Sequence, residues 1–65
     1  MTHAETNIPA ITLEQIEQLA SADQAFIYSV QHQDAHNMRL VLRAHGYAYT
    51  PSQAERVIRL AQYGI

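Results

Sequence analysis

The stretch TPSQAERVIRLAQYG, residues 50–64, carries a full set of helix signals and decides the fold class. Thr50 and Gln53 fit a capping box, in which the hydroxyl accepts from a backbone N–H and the amide reaches back to the cap. Pro51 falls at the first helical position, where its missing N–H costs nothing. The apolar positions that follow are Ala54, Val57, Ile58 and Ala61. Their spacing predicts a helix over residues 51–63 with one buried face.

Three more helices are predicted ahead of this one. TLEQ (12–15) and SADQ (21–24) also fit a capping box, and Gly46 is a typical residue just past a helix C-terminus. The predicted helices cover residues 13–20, 22–31, 35–45 and 51–63. Because no alternating apolar run indicates a strand, we expect an all-α, compact bundle of four short helices.

Each of the first three helices has an apolar stripe. The stripe residues are Leu13, Ile16 and Leu19, then Phe26, Ile27 and Val30, then Met38, Val41 and Leu42. Helices of about two to three turns are too short to be stable alone in water, so the stripes must share one core. Leu40, Leu60 and the four tyrosines lie off the stripes, and together they could form a second apolar surface.

Length and composition restrict the protein to a few classes. A chain of 65 residues makes one small domain, expected over residues 11–65, with residues 1–10 as a flexible N-terminal tail. Cysteine is absent, which excludes disulfides and thiolate metal sites. No segment approaches the ~20 apolar residues of a membrane span, and the N-terminus lacks a signal-peptide pattern. We therefore expect a soluble, cytoplasmic protein stabilised by helix packing or by a partner.

Charge is distributed unevenly along the chain. Residues 1–37 carry five carboxylates and no lysine or arginine, giving −5, whereas residues 38–65 carry four arginines against Glu55, giving +3. We expect the acidic half to pack beside the basic half of its own chain. The alternative is that an acidic face and a basic face pair with another molecule.

The stretch QHQDAHNM, residues 31–38, is either a metal site or a joint between helices. His32 and His36 share a face only if one helix runs through both. In zinc proteases with this spacing a glutamate follows the first histidine, and that position is Gln33 here. Asp34 is a good N-cap, and no apolar stripe of helical spacing continues through these residues. We predict a joint and no metal ligands.

Other reactive groups lack the partners that catalysis needs. No serine has the sequence context of a nucleophile elbow, and the chain has no lysine. The two glycines fall at helix ends rather than in a phosphate-binding loop. We expect no catalytic residue, no cofactor and no small-molecule substrate, and the protein is predicted not to be an enzyme.

The leading functional hypothesis is a protein-interaction module that binds a protein partner or a second copy of itself. Tyrosine and arginine are enriched at interface centres, and small helical domains with surplus apolar surface typically dock a helix or a strand. The predicted contact residues are Arg39, Arg43, Tyr47, Tyr49, Arg56 and Arg59. The first helix and its acidic face would provide the complementary surface.

The alternative hypothesis is a helix-turn-helix-like regulator that binds nucleic acid. In this reading a dimer, encoded by a phage or mobile element, uses the arginines of the last two helices on phosphates. A net charge of −2 and only four arginines weigh against it, because electrostatics dominates affinity for DNA.

A further pattern combines an aspartate and an apolar residue with a later glycine–aromatic turn. Phe26 follows Asp23 three residues on, and GYAYT (46–50) precedes a polar helix. On these residues, region 12–53 resembles the leader domain of the Nif-eleven-type precursor family, whose members guide maturation enzymes to a peptide. The resemblance implies a helical docking domain in which Asp23 opens a short helix. Because no Gly-Gly or Gly-Ala cleavage site, Ser/Thr/Cys-rich tail or core peptide follows, we expect a stand-alone docking module, adaptor or small regulator.

Overall fold

The computed structural model describes residues 11–64, and these residues form an all-α bundle, as predicted. The helices are α1 (Leu13–Ala22), α2 (Gln24–Gln31), α3 (Ala35–Ala44) and α4 (Pro51–Gly64). The bounds of α3 and α4 agree with the prediction to within one residue. The predicted N-terminal tail, residues 1–10, and Ile65 lie outside the described residues.

The junction between α1 and α2 differs from the prediction. The SADQ pattern predicts Ser21 as the cap of the second helix, and this is wrong, because α1 continues to Ala22. Asp23 ends one helix and begins the next. Its backbone N–H donates to the Leu19 carbonyl at 2.9 Å, and its Oδ1 accepts from the Ala25 N–H at 2.9 Å. Asp23 can cap α2 without shortening α1, whereas a Ser21 cap would cost α1 its last turn.

The other two capping boxes form as predicted. At the start of α1, the Gln15 N–H donates to Thr12 Oγ1 at 3.1 Å, and the Thr12 N–H donates to Gln15 Oε1 at 2.9 Å. At the start of α4, the same two bonds join Thr50 and Gln53 at 3.2 and 2.9 Å. Each box pairs backbone donors that a helix N-terminus otherwise leaves without a partner.

One apolar core lies between the four helices. Its residues are Ile11, Ile16, Leu19, Phe26, Met38, Val41, Leu42, Ala54, Val57, Ile58 and Ala61. The stripes predicted for α3 and α4 are therefore confirmed. The prediction for Leu13 is wrong, because its side chain is 49% exposed. Leu13 is the first residue of α1 and lies against Gly64 at the end of α4, so the bundle no longer covers it.

The helices α2 and α4 lie between α1 and α3. Both contact each of the other helices, whereas no Cα of α1 comes within 8 Å of a Cα of α3. The acidic and basic halves therefore do pack together, through α1 with α4 and α2 with α3. They do so without charge pairing by arginine, since within residues 11–64 no arginine lies within 4 Å of a carboxylate oxygen.

The predicted joint at residues 31–38 separates α2 from α3. His32 ends α2, and Asp34 caps α3 by accepting from the Asn37 N–H at 3.0 Å. His36 therefore belongs to a different helix from the one that His32 ends. The two histidines do not share the single helical face that a metal-binding pair with this spacing needs.

Gln33 closes α2 in the left-handed region, with φ 51°. The turn is a Schellman motif, in which the Asp34 N–H donates to the Ser29 carbonyl at 2.9 Å and the Gln33 N–H to the Val30 carbonyl at 3.2 Å.

A side chain in this conformation costs about 1 kcal/mol or more relative to glycine. We therefore expect Gln33→Gly to raise the free energy of unfolding by about 1 kcal/mol in urea denaturation. The control is Gly46, which has φ 97°, because Gly46→Ala should lower the free energy of unfolding by a similar amount. A Gln33→Gly variant less stable than the parent would contradict this account of the turn.

Candidate functional site

An open groove of about 360 Å³ lies where the C-terminal half of α3 faces the segment that leads into α4. We call it the α3 groove. It is lined by Arg39, Leu40, Arg43, Ala48, Tyr49, Thr50 and Pro51. The groove therefore brings together three of the predicted contact residues, two arginines of α3 and one tyrosine of the loop.

Helical spacing explains why α3 offers both arginines to the groove. The helix buries Met38 and Leu42 in the core, which turns the opposite side outward. Arg39 and Arg43 are four residues apart and therefore lie one above the other on one edge, about 6 Å apart along the axis. Leu40, between them in sequence, is 50% exposed. This edge of α3 combines positive charge with apolar surface.

The second wall of the groove depends on the turn after α3. The Gly46 N–H donates to the Arg43 carbonyl at 3.1 Å, and the Tyr47 N–H donates to the Leu42 carbonyl at 2.9 Å. These two bonds form a Schellman motif, which reverses the chain at a glycine. Tyr47 and Tyr49 follow, with ring centroids 5.5 Å apart, and both pack against the core. Their packing fixes Tyr49 as a wall of the groove.

The α3 groove is positive and its charges are not neutralised internally. Its lining contains two arginines and no carboxylate. Among the described residues, neither the Arg39 nor the Arg43 side chain forms a hydrogen bond or an ion pair. Guanidinium groups without a protein partner can donate to a carboxylate of another molecule at little cost.

The other predicted contact residues lie away from the groove. Arg59 lines a smaller depression of about 150 Å³ together with Gln33 and Glu55. Arg56 is exposed on α4, and Tyr47 faces a depression beside Leu19. The predicted contact set therefore divides among at least two surfaces.

The predicted contact set omits four lining residues of the groove. One of them, Leu40, was predicted only as part of a possible second apolar surface, because it falls off the apolar stripe of its helix. Thr50 and Pro51 fit the start of a helix so well that the pattern gives no sign of a second role. Ala48 carries no sequence signal. Their place in the groove follows from the path of the loop after Gly46, which no local pattern predicts.

A polar link joins the base of this loop to the α1–α2 junction. His45 Nε2 and Asp23 Oδ2 are 2.8 Å apart. The hydrogen bond from His45, and next the bond from the Ala25 N–H, hold the pKa of Asp23 below its usual 3.8. Because His45 immediately precedes the glycine of the turn, this link helps to position the second wall of the groove.

The lowered pKa of Asp23 predicts a pH-dependent contribution to stability. The Asp23 carboxylate stabilises the fold at pH above its unfolded-state pKa, and this contribution is lost as the pH falls through the lower, folded-state pKa. We expect Asp23→Asn, which keeps a capping oxygen, to be less stable than the parent near neutral pH. The difference should close in acid, as measured by urea denaturation from about pH 7 to about pH 2. Glu17→Gln, at an exposed carboxylate outside the first turn of α1, is the control. A difference that did not change with pH would contradict the role of charge.

Comparison with known proteins does not assign the chain to a family. No protein-family model matches the sequence, and neither curated proteins nor solved structures give a match. In the part of the chain that the structure describes, no helix has the length and apolar character to cross a membrane. Within the same part, no three histidine, aspartate or glutamate side chains gather in a way that could hold a metal ion.

Proposed function

We propose that the protein is a non-enzymatic interaction module that binds a carboxylate-bearing segment of a protein in the α3 groove. One observation carries the proposal: Arg39 and Arg43 flank a half-exposed leucine and have no charge partner within the described residues. Charge-assisted hydrogen bonds from guanidinium groups are about twice as strong as neutral ones. Leu40 and Tyr49 add apolar contact area beside these donors.

The size of the groove favours a single helix or strand of the partner protein as its ligand. A volume of about 360 Å³ accommodates a few side chains. Such a contact is smaller than the interface between two globular partners of standard size, and it resembles the docking of a helix or strand in a groove. The proposal includes a cytoplasmic location and a role as an adaptor or small regulator, and the leader-like docking implied by the resemblance is one form of it.

The distribution of arginines favours protein over nucleic acid. DNA binding draws most of its affinity from many phosphate contacts, and the chain carries −2 overall. Of the two arginines outside the groove, Arg59 lies beside Glu55, which reduces its attraction for phosphate. Residues 45–50 separate α3 from α4, which is longer than the three to four residues of a helix-turn-helix turn.

A pair of matched peptides tests the proposal. One is a short helical peptide with a leucine flanked by two glutamates, and the other has glutamines in place of the glutamates. Fluorescence anisotropy should show about tenfold tighter binding of the acidic peptide, and this preference should shrink as salt is added. A random DNA duplex at low salt is the third ligand. If the duplex binds more tightly than the acidic peptide, with a steep salt dependence, the nucleic-acid alternative replaces the proposal.

A further inference from the structure

We infer that the ligand of the α3 groove is a second copy of this chain, which inserts the acidic edge of its own α1. The acidic edge consists of Leu13, Glu14 and Glu17. The inference rests on the proposed function and names the partner of the same groove. Each copy would use its acidic edge on one neighbour and its groove on the other.

The acidic edge has the chemistry that the groove requires. Leu13 and Glu17 are four residues apart, and Glu14 and Glu17 are three apart, so all three lie along one edge of α1. Both glutamates are exposed, and within residues 11–64 neither carboxylate forms a hydrogen bond or an ion pair. Leu13 is 49% exposed, and α1 contains no basic residue. This edge therefore presents negative charge beside apolar surface.

The two surfaces also agree in spacing. Three residues of helix place the carboxylates of Glu14 and Glu17 about 4.5 Å apart along the axis. Four residues place Arg39 and Arg43 about 6 Å apart, a difference that long arginine side chains can span. Each surface carries one leucine that is about half exposed. The apolar contact and the two ion pairs can therefore form together.

The fold prevents the two surfaces from meeting within one chain. No Cα of α1 comes within 8 Å of α3, and α2 and α4 lie between them. The acidic edge and the groove therefore remain available to other copies. A contact between two different surfaces leaves one free groove and one free acidic edge at the ends of every assembly that does not close into a ring. Head-to-tail association should thus continue beyond a dimer as the concentration rises.

Two variants, each lacking one of the surfaces, test this inference by sedimentation velocity. Glu14→Gln with Glu17→Gln keeps the groove, and Arg39→Gln with Arg43→Gln keeps the acidic edge. The unsubstituted chain should exceed the mass of a dimer between about 10 µM and about 1 mM, a range that populates weak complexes. Each variant alone should stay monomeric. An equimolar mixture should form a 1:1 dimer and stop there, because only one intact pair of surfaces remains.

Circular dichroism of both variants should match the parent, since none of the four substituted side chains is buried. Self-association of the parent should disappear in about 1 M salt, where screening acts over about 3 Å. The inference is overturned if the parent is monomeric throughout, or if both variants associate as the parent does. A monomeric parent that still binds the acidic peptide overturns only this inference, whereas a chain that binds neither itself nor the peptide also overturns the proposed function.

Discussion

Replacing Phe26 with alanine is expected to leave most of the chain unfolded at about 25 °C. Phe26 is the largest of the fully buried side chains, and its helix contacts all three others. Removing a buried phenylalanine costs about 3–5 kcal/mol, because apolar burial is lost and a cavity remains. A domain of 65 residues without disulfides has a total stability of about the same size. The expected result is loss of most helical circular dichroism.

Tyr28→Ala is the matched control for this substitution. Tyr28 is an aromatic residue of the same helix, but it is 52% exposed and its ring contacts His32 with centroids 4.1 Å apart. We expect a change of at most about 1 kcal/mol and a cooperative thermal transition like that of the parent. If Phe26→Ala melted like Tyr28→Ala, the core described here would be incorrect.

Reversing the charge of the groove, by Arg39→Glu with Arg43→Glu, is expected to abolish binding of an acidic segment. Each charge-assisted hydrogen bond contributes about 1.5–3 kcal/mol, and the new carboxylates would repel those of the ligand. Affinity should therefore fall by at least about 100-fold. Stability should fall by only about 1 kcal/mol, because neither side chain has a partner in the described part of the chain and the main cost is a carboxylate at position 43, in the last turn of α3, where the helix dipole favours a cation.

The control for this reversal has the same change in net charge. Arg56→Glu with Arg59→Glu makes the change on α4, at residues that do not line the groove. Salt at about 0.15 M weakens the interaction of exposed charges outside the groove with its ligand, so binding should stay within a few-fold of the parent. Equal losses in the two variants would mean that overall charge, and not the groove, attracts the ligand.

Local signals were sufficient to predict most of the fold. Short-range spacing identifies the capping boxes at Thr12 and Thr50 and the apolar stripes of α3 and α4, because each depends on residues a few positions apart. The capping-box pattern placed the start of α2 at Ser21 rather than at Asp23, because the two candidate caps overlap and only the packing of both helices decides between them. Ser29 was missed for a related reason. It is fully buried, donates to the Ala25 carbonyl at 3.0 Å and accepts from Asn37 Nδ2 at 2.8 Å, a partner that only the packing of α3 supplies.

The residue types that line the groove could be predicted from the sequence, but the set of residues that lie together in it could not. The sequence indicated which residue types bind partners, and this identified Arg39, Arg43 and Tyr49. It could not separate them from Arg56 and Arg59, because that separation depends on the path of the loop after α3. Within residues 11–64 no arginine pairs with a carboxylate of the acidic half, and this could not be predicted either, since it depends on which helices are neighbours.

The most direct test of the account is a nuclear magnetic resonance titration of the labelled protein with the acidic, leucine-bearing peptide. Resonances of Arg39, Leu40, Arg43 and Tyr49 should shift together with a single binding curve, while those of Arg56 stay in place. The glutamine-matched peptide should produce much smaller shifts at the same concentration. Shifts centred on the outer face of α4, or equal shifts with both peptides, would contradict the claim that this groove binds carboxylate-bearing protein segments.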